Sequence, residues 1–270
     1  DPEVNGYVTD EPGVRLGGKF HIFERVLVHD NGQDGFQASW DNNSKKNFVL
    51  KQSWVYNSRP HSFRYGAFND CSHSDGVHIY EEGAVENIFI EETILGPGLT
   101  NGLMLGEIGT WVQNVTLRDV LIIRSSENGI NTKTEEQTAN FRLERVTLDC
   151  SNTRFNCLRL HGSGHRVTDS IIVGAHQEIP NGLVSSSNNC QWDTTGYEVG
   201  AEIDPQFAAY NPGDRFGLED IFLPLELACP GSRVYSVESL FDLPDDRLGI
   251  SVAELDGVGF TLNFPFLQSD

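Results

Sequence analysis

Basic residues are scarce in this chain, with 19 Lys and Arg against 39 Asp and Glu in 270 residues and a net charge of −20. That balance excludes a general nucleic-acid or anionic-membrane binder, since both need a positive surface. Long apolar runs are also missing. Charged residues interrupt every hydrophobic stretch well before the roughly 18 residues that a membrane span requires. No segment carries a sustained 3.6-residue apolar stripe, so long amphipathic helices are not expected. The chain has no Gly-x-Ser-x-Gly elbow, no phosphate-cradling P-loop and no zinc-type cysteine spacing. Methionine occurs once, at Met104, and residue 1 is Asp, so the chain does not begin at a translation start and the expectation is an exported, processed protein. What is present, 38% apolar residues, suffices for a core and excludes disorder.

Five cysteines allow two disulfides. The short separation of Cys150 and Cys157 favours a clip between them, with Cys190–Cys229 as a longer staple and Cys71 free; five reduced thiols are the alternative. Asn42-Asn43-Ser44 and Asn114-Val115-Thr116 match the glycosylation pattern.

A short phrase recurs along the chain: Asp or Asn, then Gly, then alternating apolar residues. Its copies are Asp34-Gly35-Phe36, Asp75-Gly76-Val77, Asn101-Gly102-Leu103, Asn128-Gly129-Ile130, Asn156-Cys157-Leu158 and Asn181-Gly182-Leu183, with Pro12-Gly13-Val14 as a degenerate first copy. Successive copies start 22, 41, 26, 27, 28 and 25 residues apart. A second phrase lags the first by a nearly constant amount: Phe20 to Val26, Asn47-Phe48-Val49-Leu50, Asn87-Ile88-Phe89-Ile90, Asn114-Val115-Thr116-Leu117, Asn140-Phe141-Arg142-Leu143 and His165-Arg166-Val167-Thr168. Each unit therefore holds about three short strands between Gly, Asn, Asp and Ser turns. A strand cannot bury an apolar face alone, whereas stacked units make a continuous core and equivalent Asn residues can form a ladder. The expected fold is all-β, a parallel β-helix solenoid of about seven coils over residues 1–190, with a loop insertion at about 57–74 and an irregular C-terminal cap over 191–270. A β-sandwich would not impose the fixed period. A coil starting near Gly13 leaves an open sheet end, so an N-terminal cap, a preceding domain or a protein partner is expected there.

Alternation of side chains turns the repeat into a surface map. Two and four residues after the signature Asp or Asn come the core positions, Phe36/Ala38, Val77/Ile79, Leu103/Leu105, Ile130/Thr132, Leu158/Leu160 and Leu183/Ser185. Three and five residues after it come positions expected to face outward. These place Gln37, His78, Tyr80, Asn131, Lys133, Arg159 and His161 on one strip, with neighbouring coils about 4.8 Å apart.

The chain resembles the right-handed parallel β-helix superfamily that contains pectate lyases, alginate lyases, chondroitinase B and uronan epimerases, over about residues 13 to 190. Ile130-Asn131-Thr132-Lys133-Thr134 looks like the strand that carries the catalytic lysine in the alginate lyase and chondroitinase B branch. Leu158-Arg159-Leu160-His161-Gly162 resembles that branch's Arg/His strand, although by alternation His161, rather than Arg159, stands at the position of the family arginine. The resemblance implies a secreted or cell-surface protein acting on an acidic, uronate-containing polysaccharide by proton abstraction and β-elimination, or by the related epimerisation.

Such elimination needs a base, a group that holds developing enolate charge, and an acid for the leaving oxygen. Lys133 suits the base if Arg159 and desolvation lower its pKa. His161 or Tyr80 suits the acid, His78 stands beside them, and Arg159 and Asn131 suit the substrate carboxylate. Gln37 and Glu107 complete the sugar contacts. The insertion supplies Arg64, Tyr65 and His73, side chains suited to stacking on sugar rings and pairing with acid groups. The superfamily often uses calcium, for which Asp34 and Asp75 are candidate ligands; the alternative is that both belong to the corner ladder with Asn101, Asn128, Asn156 and Asn181. His73, Asp75 and His78 could instead take a transition metal, although His73 and His78 stand five residues apart across a turn. Two other classes stay open. A glycoside hydrolase would need paired carboxylates, such as Glu81/Glu82 with Glu107. A non-catalytic glycan-binding adhesin or structural module would need none.

Overall fold

In the computed structural model, residues 12–17, 19–38, 45–58, 74–80, 84–106, 111–132, 138–151, 153–205 and 231–232 are described. They form an all-β structure of two long parallel sheets, without a helix among them. The first sheet has eight strands in the order β1 (Val14–Arg15), β4 (Phe36–Ala38), β7 (Val77–Ile79), β9 (Asn101–Leu105), β11 (Asn128–Thr132), β13 (Asn156–Arg159), β16 (His176–Glu178) and β19 (Thr195–Gly196). The second runs β2 (His21–Glu24), β5 (Lys45–Lys51), β8 (Ala84–Leu95), β10 (Trp111–Ile123), β12 (Thr138–Asp149), β15 (Ile171–Val173), β18 (Cys190–Trp192) and β20 (Ala201–Glu202). Four short strands branch from it: β3 (Leu27–His29), β6 (Trp54–Tyr56), β14 (Arg166–Thr168) and β17 (Ser185–Ser187). The chain alternates between the sheets, and each pass pairs in parallel with the one before, an arrangement compatible with a parallel β-helix.

Register follows the sequence phrases closely. In the first sheet Val14 faces Phe36, Phe36 faces Val77, Val77 faces Leu103, Leu103 faces Ile130 and Ile130 faces Leu158. In the second, Ile22, Val49, Phe89, Thr116, Arg142 and Arg166 occupy one row. The apolar residues of both phrases meet inside. Phe36, Val77, Leu103, Ile130 and Leu158 from one sheet pack with Phe48, Ile88, Val115, Phe141 and Val167 from the other, all at most 2% exposed. Burying each large aliphatic or aromatic side chain stabilises by about 1.5–3 kcal/mol, so the stacked passes support one another rather than folding singly.

The signature glycine has a steric cause. A Cβ on Gly102 would lie 2.4 Å from Ile122 Cγ2 and 2.8 Å from the Gly129 carbonyl oxygen, below any tolerated contact. The bends of the second phrase fall on Asn47, Asn87, Asn114 and Asn140, at φ of 59°, 58°, 57° and 56°, the left-handed region that asparagine tolerates. Their side-chain amides stack, each donating to the preceding residue at 3.2, 3.2 and 3.3 Å. Asn114 is thus engaged in this ladder; Asn42 lies outside the described residues.

The sequence map differs from the structure at the last repeat. β13 pairs with β16, not with Asn181-Gly182-Leu183, so Leu158 faces Gln177 across a pass shortened to 19 residues (177 − 158). The next pass is equally short, with His176 facing Thr195 and Ile171 facing Cys190. Asn181 instead donates its amide to the Gly162 carbonyl at 2.8 Å. Parallel pairing continues to Ala201–Glu202. The disulfide clip is present between Cys150 and Cys157, with Cα atoms 5.4 Å apart. Cys190 is disulfide-bonded too; Cys71 and Cys229, the insertion from 59 to 73 and most of the expected C-terminal cap lie outside the described residues.

Candidate functional site

Two side-chain clusters stand on the first sheet. The first grows from the corner ladder that precedes each strand. Asp34 Oδ1 accepts the Asp75 N–H at 2.8 Å, and Asp75 Oδ1 accepts both the backbone and side-chain amides of Asn101, at 3.0 and 2.6 Å. The Asn128 amide donates to Asn101 Oδ1 at 2.6 Å, and Asn156 donates its backbone N–H to Asn128 Oδ1 at 3.2 Å. Asp34 and Asp75 therefore belong to the ladder, while Asn181 does not. Beside them, His78 Nδ1 lies 3.1 Å from Asp34 Oδ2 and 3.2 Å from Asp75 Oδ2. Gln37 donates its amide to Asp34 Oδ2 at 3.0 Å, and the Tyr80 ring leans over His78 with centroids 4.2 Å apart. Asp34, Asp75 and His78 are buried, at 0%, 0% and 2% exposure.

The second cluster lies three strands further on, about 14 Å away at the usual strand spacing. Arg159 Nε contacts Glu178 Oε2 at 3.1 Å, and His161 Nε2 lies 3.0 Å from Glu178 Oε1 and 3.1 Å from Arg159 Nε. Thr132 fixes the backbone beneath them: its hydroxyl donates to the Arg159 carbonyl at 3.2 Å and accepts the His161 N–H at 3.2 Å. Asn131, in register with Arg159, is buried, and its Oδ1 has no hydrogen-bond partner. Arg159 and Glu178 remain partly open to solvent while His161 is nearly buried. An acceptor, a cation, a carboxylate and an imidazole thus share one spot, a set able to grip a polar ligand and move a proton.

His165 supports this cluster from below. Its Nε2–H donates to the His161 carbonyl at 2.9 Å, and its Nδ1 accepts the Phe141 N–H at 3.3 Å, which assigns a neutral ring protonated on Nε2. Burial lowers its pKa, opposed by the bond to the His161 carbonyl. The unfolded ring takes up a proton below about pH 6.5 while the folded ring stays neutral. The unfolded state then binds more protons, so stability falls as pH drops from about 6.5 towards the lower folded value. In urea titrations from pH 7 to pH 5, the His165→Gln variant is expected to lose less of its midpoint than the parent chain. Equal losses would remove His165 as the cause.

The expected strip is therefore divided. Gln37, His78, Asn131, Arg159 and His161 do share a side of the first sheet, but the structure splits them between the two clusters, with Met104 between. The expected exposure does not hold: Gln37, His78, Met104 and Asn131 are buried, at 5%, 2%, 1% and 6%. Gln37 and His78 meet the ladder carboxylates rather than water. Tyr80 is half-buried. Lys133, Arg64, Tyr65, His73 and Glu107 lie outside the described residues, as do Glu81 and Glu82. The sequence reading missed Glu178, which the 19-residue pass brings into register with Arg159, and Thr132, assigned to the core alone. The open face of the second sheet carries an alternating charge row instead. Glu24, Lys51, Glu91, Arg118 and Glu144 are in register there, with Lys51–Glu91 at 3.1 Å and Arg118–Glu144 at 2.9 Å. Compared with known proteins, the chain matches no family model, no curated protein sequence and no solved structure.

Proposed function

We propose that the protein is an exported carbohydrate-active enzyme, built as a right-handed parallel β-helix of about seven coils related to the pectate lyase-like superfamily, that cleaves a uronate-containing polysaccharide by β-elimination. The observation that carries the reading is Arg159, His161 and Glu178 converging beside the unpartnered Asn131 Oδ1 on one side of a parallel sheet. In the reaction a base removes the proton on the carbon next to the uronate carboxylate. The electron pair becomes a ring C=C bond, the C–O bond to the leaving sugar breaks, and an acid returns a proton to that oxygen. Lys133 is the base that the resemblance implies, and epimerisation would follow if the proton returned to the opposite face. Arg159 is placed to hold the carboxylate and developing charge, His161 to deliver the proton and Asn131 to accept a sugar hydroxyl. Glu178 orients the His161 ring. Tyr80, about 14 Å from Arg159 by strand count, would serve a neighbouring sugar unit rather than the same reacting centre, whereas His78 is buried against Asp34 and Asp75 and stands outside the sugar contacts.

Calcium takes about six to eight oxygen ligands. Asp34 and Asp75 instead present oxygens around an imidazole nitrogen, a donor set that does not fit calcium, and Arg159 supplies the neutralising charge.

Export to the exterior or the cell surface is supported by the Cys150–Cys157 disulfide, a bond that persists in oxidising compartments. No helix among the described residues is long and apolar enough to cross a membrane. Strands β1, β2 and β3 have a hydrogen-bonded neighbour on one side only among the described residues, which suits a cap or partner at that end.

A non-catalytic glycan-binding module is the second reading, favoured by the internal pairing of Arg159 with Glu178, which satisfies its charge without a substrate. Incubation with alginate, pectate, glycosaminoglycan and glucuronan, with and without calcium, separates the two. Rising unsaturated-uronate absorbance is the expected result. New reducing ends without that absorbance would mean a hydrolase, and neither signal on any polymer would leave a binding or structural module.

A further inference from the structure

We propose that Asp34, Asp75 and His78 bind one divalent transition-metal ion of the zinc or manganese type. Their donor atoms all lie within 4.8 Å of one another, and His78 Nδ1 stands 3.1 and 3.2 Å from the two carboxylate Oδ2 atoms. Separations just above 3 Å are those between ligand atoms around an ion bonded at about 2.0–2.2 Å. An ion in place of the Nδ1 proton would bond to both carboxylates, which stand on adjacent passes.

The surroundings hold the carboxylates in that pose. Both Oδ1 atoms accept amide hydrogens, from Asp75 at 2.8 Å and from Asn101 at 3.0 and 2.6 Å, while both Oδ2 atoms face the imidazole and Asp34 Oδ2 also accepts the Gln37 amide at 3.0 Å. Outer bonds of this kind orient ligands in metal centres. All three side chains are buried, where a dication beside a neutral ring would match the charge of the two carboxylates. Among the linked corner residues Asp34, Asp75, Asn101, Asn128 and Asn156, carboxylates occur only at the two that flank His78. The imidazole nitrogen selects a borderline transition ion over calcium or magnesium, which take oxygen ligands. The site stands apart from the elimination chemistry, and failure of one reading leaves the other intact.

Chelator-treated protein titrated with Co²⁺ and then Zn²⁺ tests this. Expected are one ion per chain by calorimetry, visible Co²⁺ bands of nitrogen–oxygen coordination, and a raised unfolding temperature. The His78→Gln variant should bind more than about 100-fold more weakly, since even outer-shell partners cost about 10–100-fold. No uptake by the parent chain overturns the site, as does unchanged uptake in a His78→Gln variant folded by circular dichroism. If that variant does not fold, X-ray absorption of the parent's Zn²⁺ complex decides. One imidazole with carboxylate oxygens supports the site, and an all-oxygen shell or several imidazoles overturns it.

Discussion

Replacing Asp34 with Ala in metal-free protein is expected to cost about 3–5 kcal/mol of stability, the largest single-residue effect on the fold outside the apolar core. Asp34 is fully buried and receives the Asp75 N–H at 2.8 Å, the Gln37 amide at 3.0 Å and His78 Nδ1 at 3.1 Å. Alanine strands the Asp75 N–H and a Gln37 amide hydrogen where water does not reach, while His78 Nδ1 keeps Asp75 Oδ2 at 3.2 Å, and each orphaned buried donor costs about 1–3 kcal/mol. Asp34→Asn keeps the acceptor for Asp75 and loses the charge facing His78, so it should cost distinctly less. Urea midpoints of the parent and both variants, at constant slope, measure the difference. A midpoint for Asp34→Ala within error of the parent would mean that the corner is wet and that the ladder contributes little.

The corner also shows why much of the fold was legible. The Asp/Asn-Gly signature repeats because each position answers a constraint that recurs on every pass. The Asn or Asp must link to the next rung, and the Gly must clear a carbonyl of that rung, as at Gly76, where a Cβ would lie 2.5 Å from the Gly102 carbonyl oxygen. The bend asparagines of the second sheet were legible for a similar reason, since left-handed φ admits few residues. Where the constraint changes, the text changes. At Cys157 the glycine slot is taken by a half-cystine joined to Cys150, and one pass later the corner holds His176 with no glycine after it. The eye then finds Asn181-Gly182, which has the right letters and serves another bond, to Gly162. Glu178 was missed through that one slip of register. The exposure of the strip was misjudged for a different reason. Alternation tells which side of a strand a residue occupies, not what covers that side, and the buried His78 is polar because the ladder carboxylates beside it are. The second sheet's charge row, Glu24 to Glu144, is similarly silent in the sequence, because its members lie about 26 to 40 residues apart and pair only once register is known.

His161→Ala should lower the rate of unsaturated-product formation by about 10²–10⁴-fold, the usual contribution of a positioned proton-transfer group, while leaving polysaccharide binding within a few-fold. The ring is nearly buried and meets Arg159 and Glu178 at its Nε2 edge, so circular dichroism should first show that the variant folds. Arg159→Ala should act differently. It removes the cation from a site that keeps the Glu178 carboxylate, so a uronate would meet uncompensated negative charge on a protein of net charge −20. Both kcat and KM should suffer, and Arg159→Lys should restore part of the binding without the forked geometry that orients a carboxylate. The two patterns separate a catalytic site from a binding one. If the chain only holds glycans, Arg159→Ala weakens retention on the polysaccharide, His161→Ala changes little, and no variant alters product formation because there is none. If elimination proceeds at the parent rate in His161→Ala, proton transfer belongs elsewhere. The half-buried Tyr80 cannot then replace it at the same carbon, being about three strand spacings away, roughly 14 Å. The acid would then have to come from a residue outside the described strands.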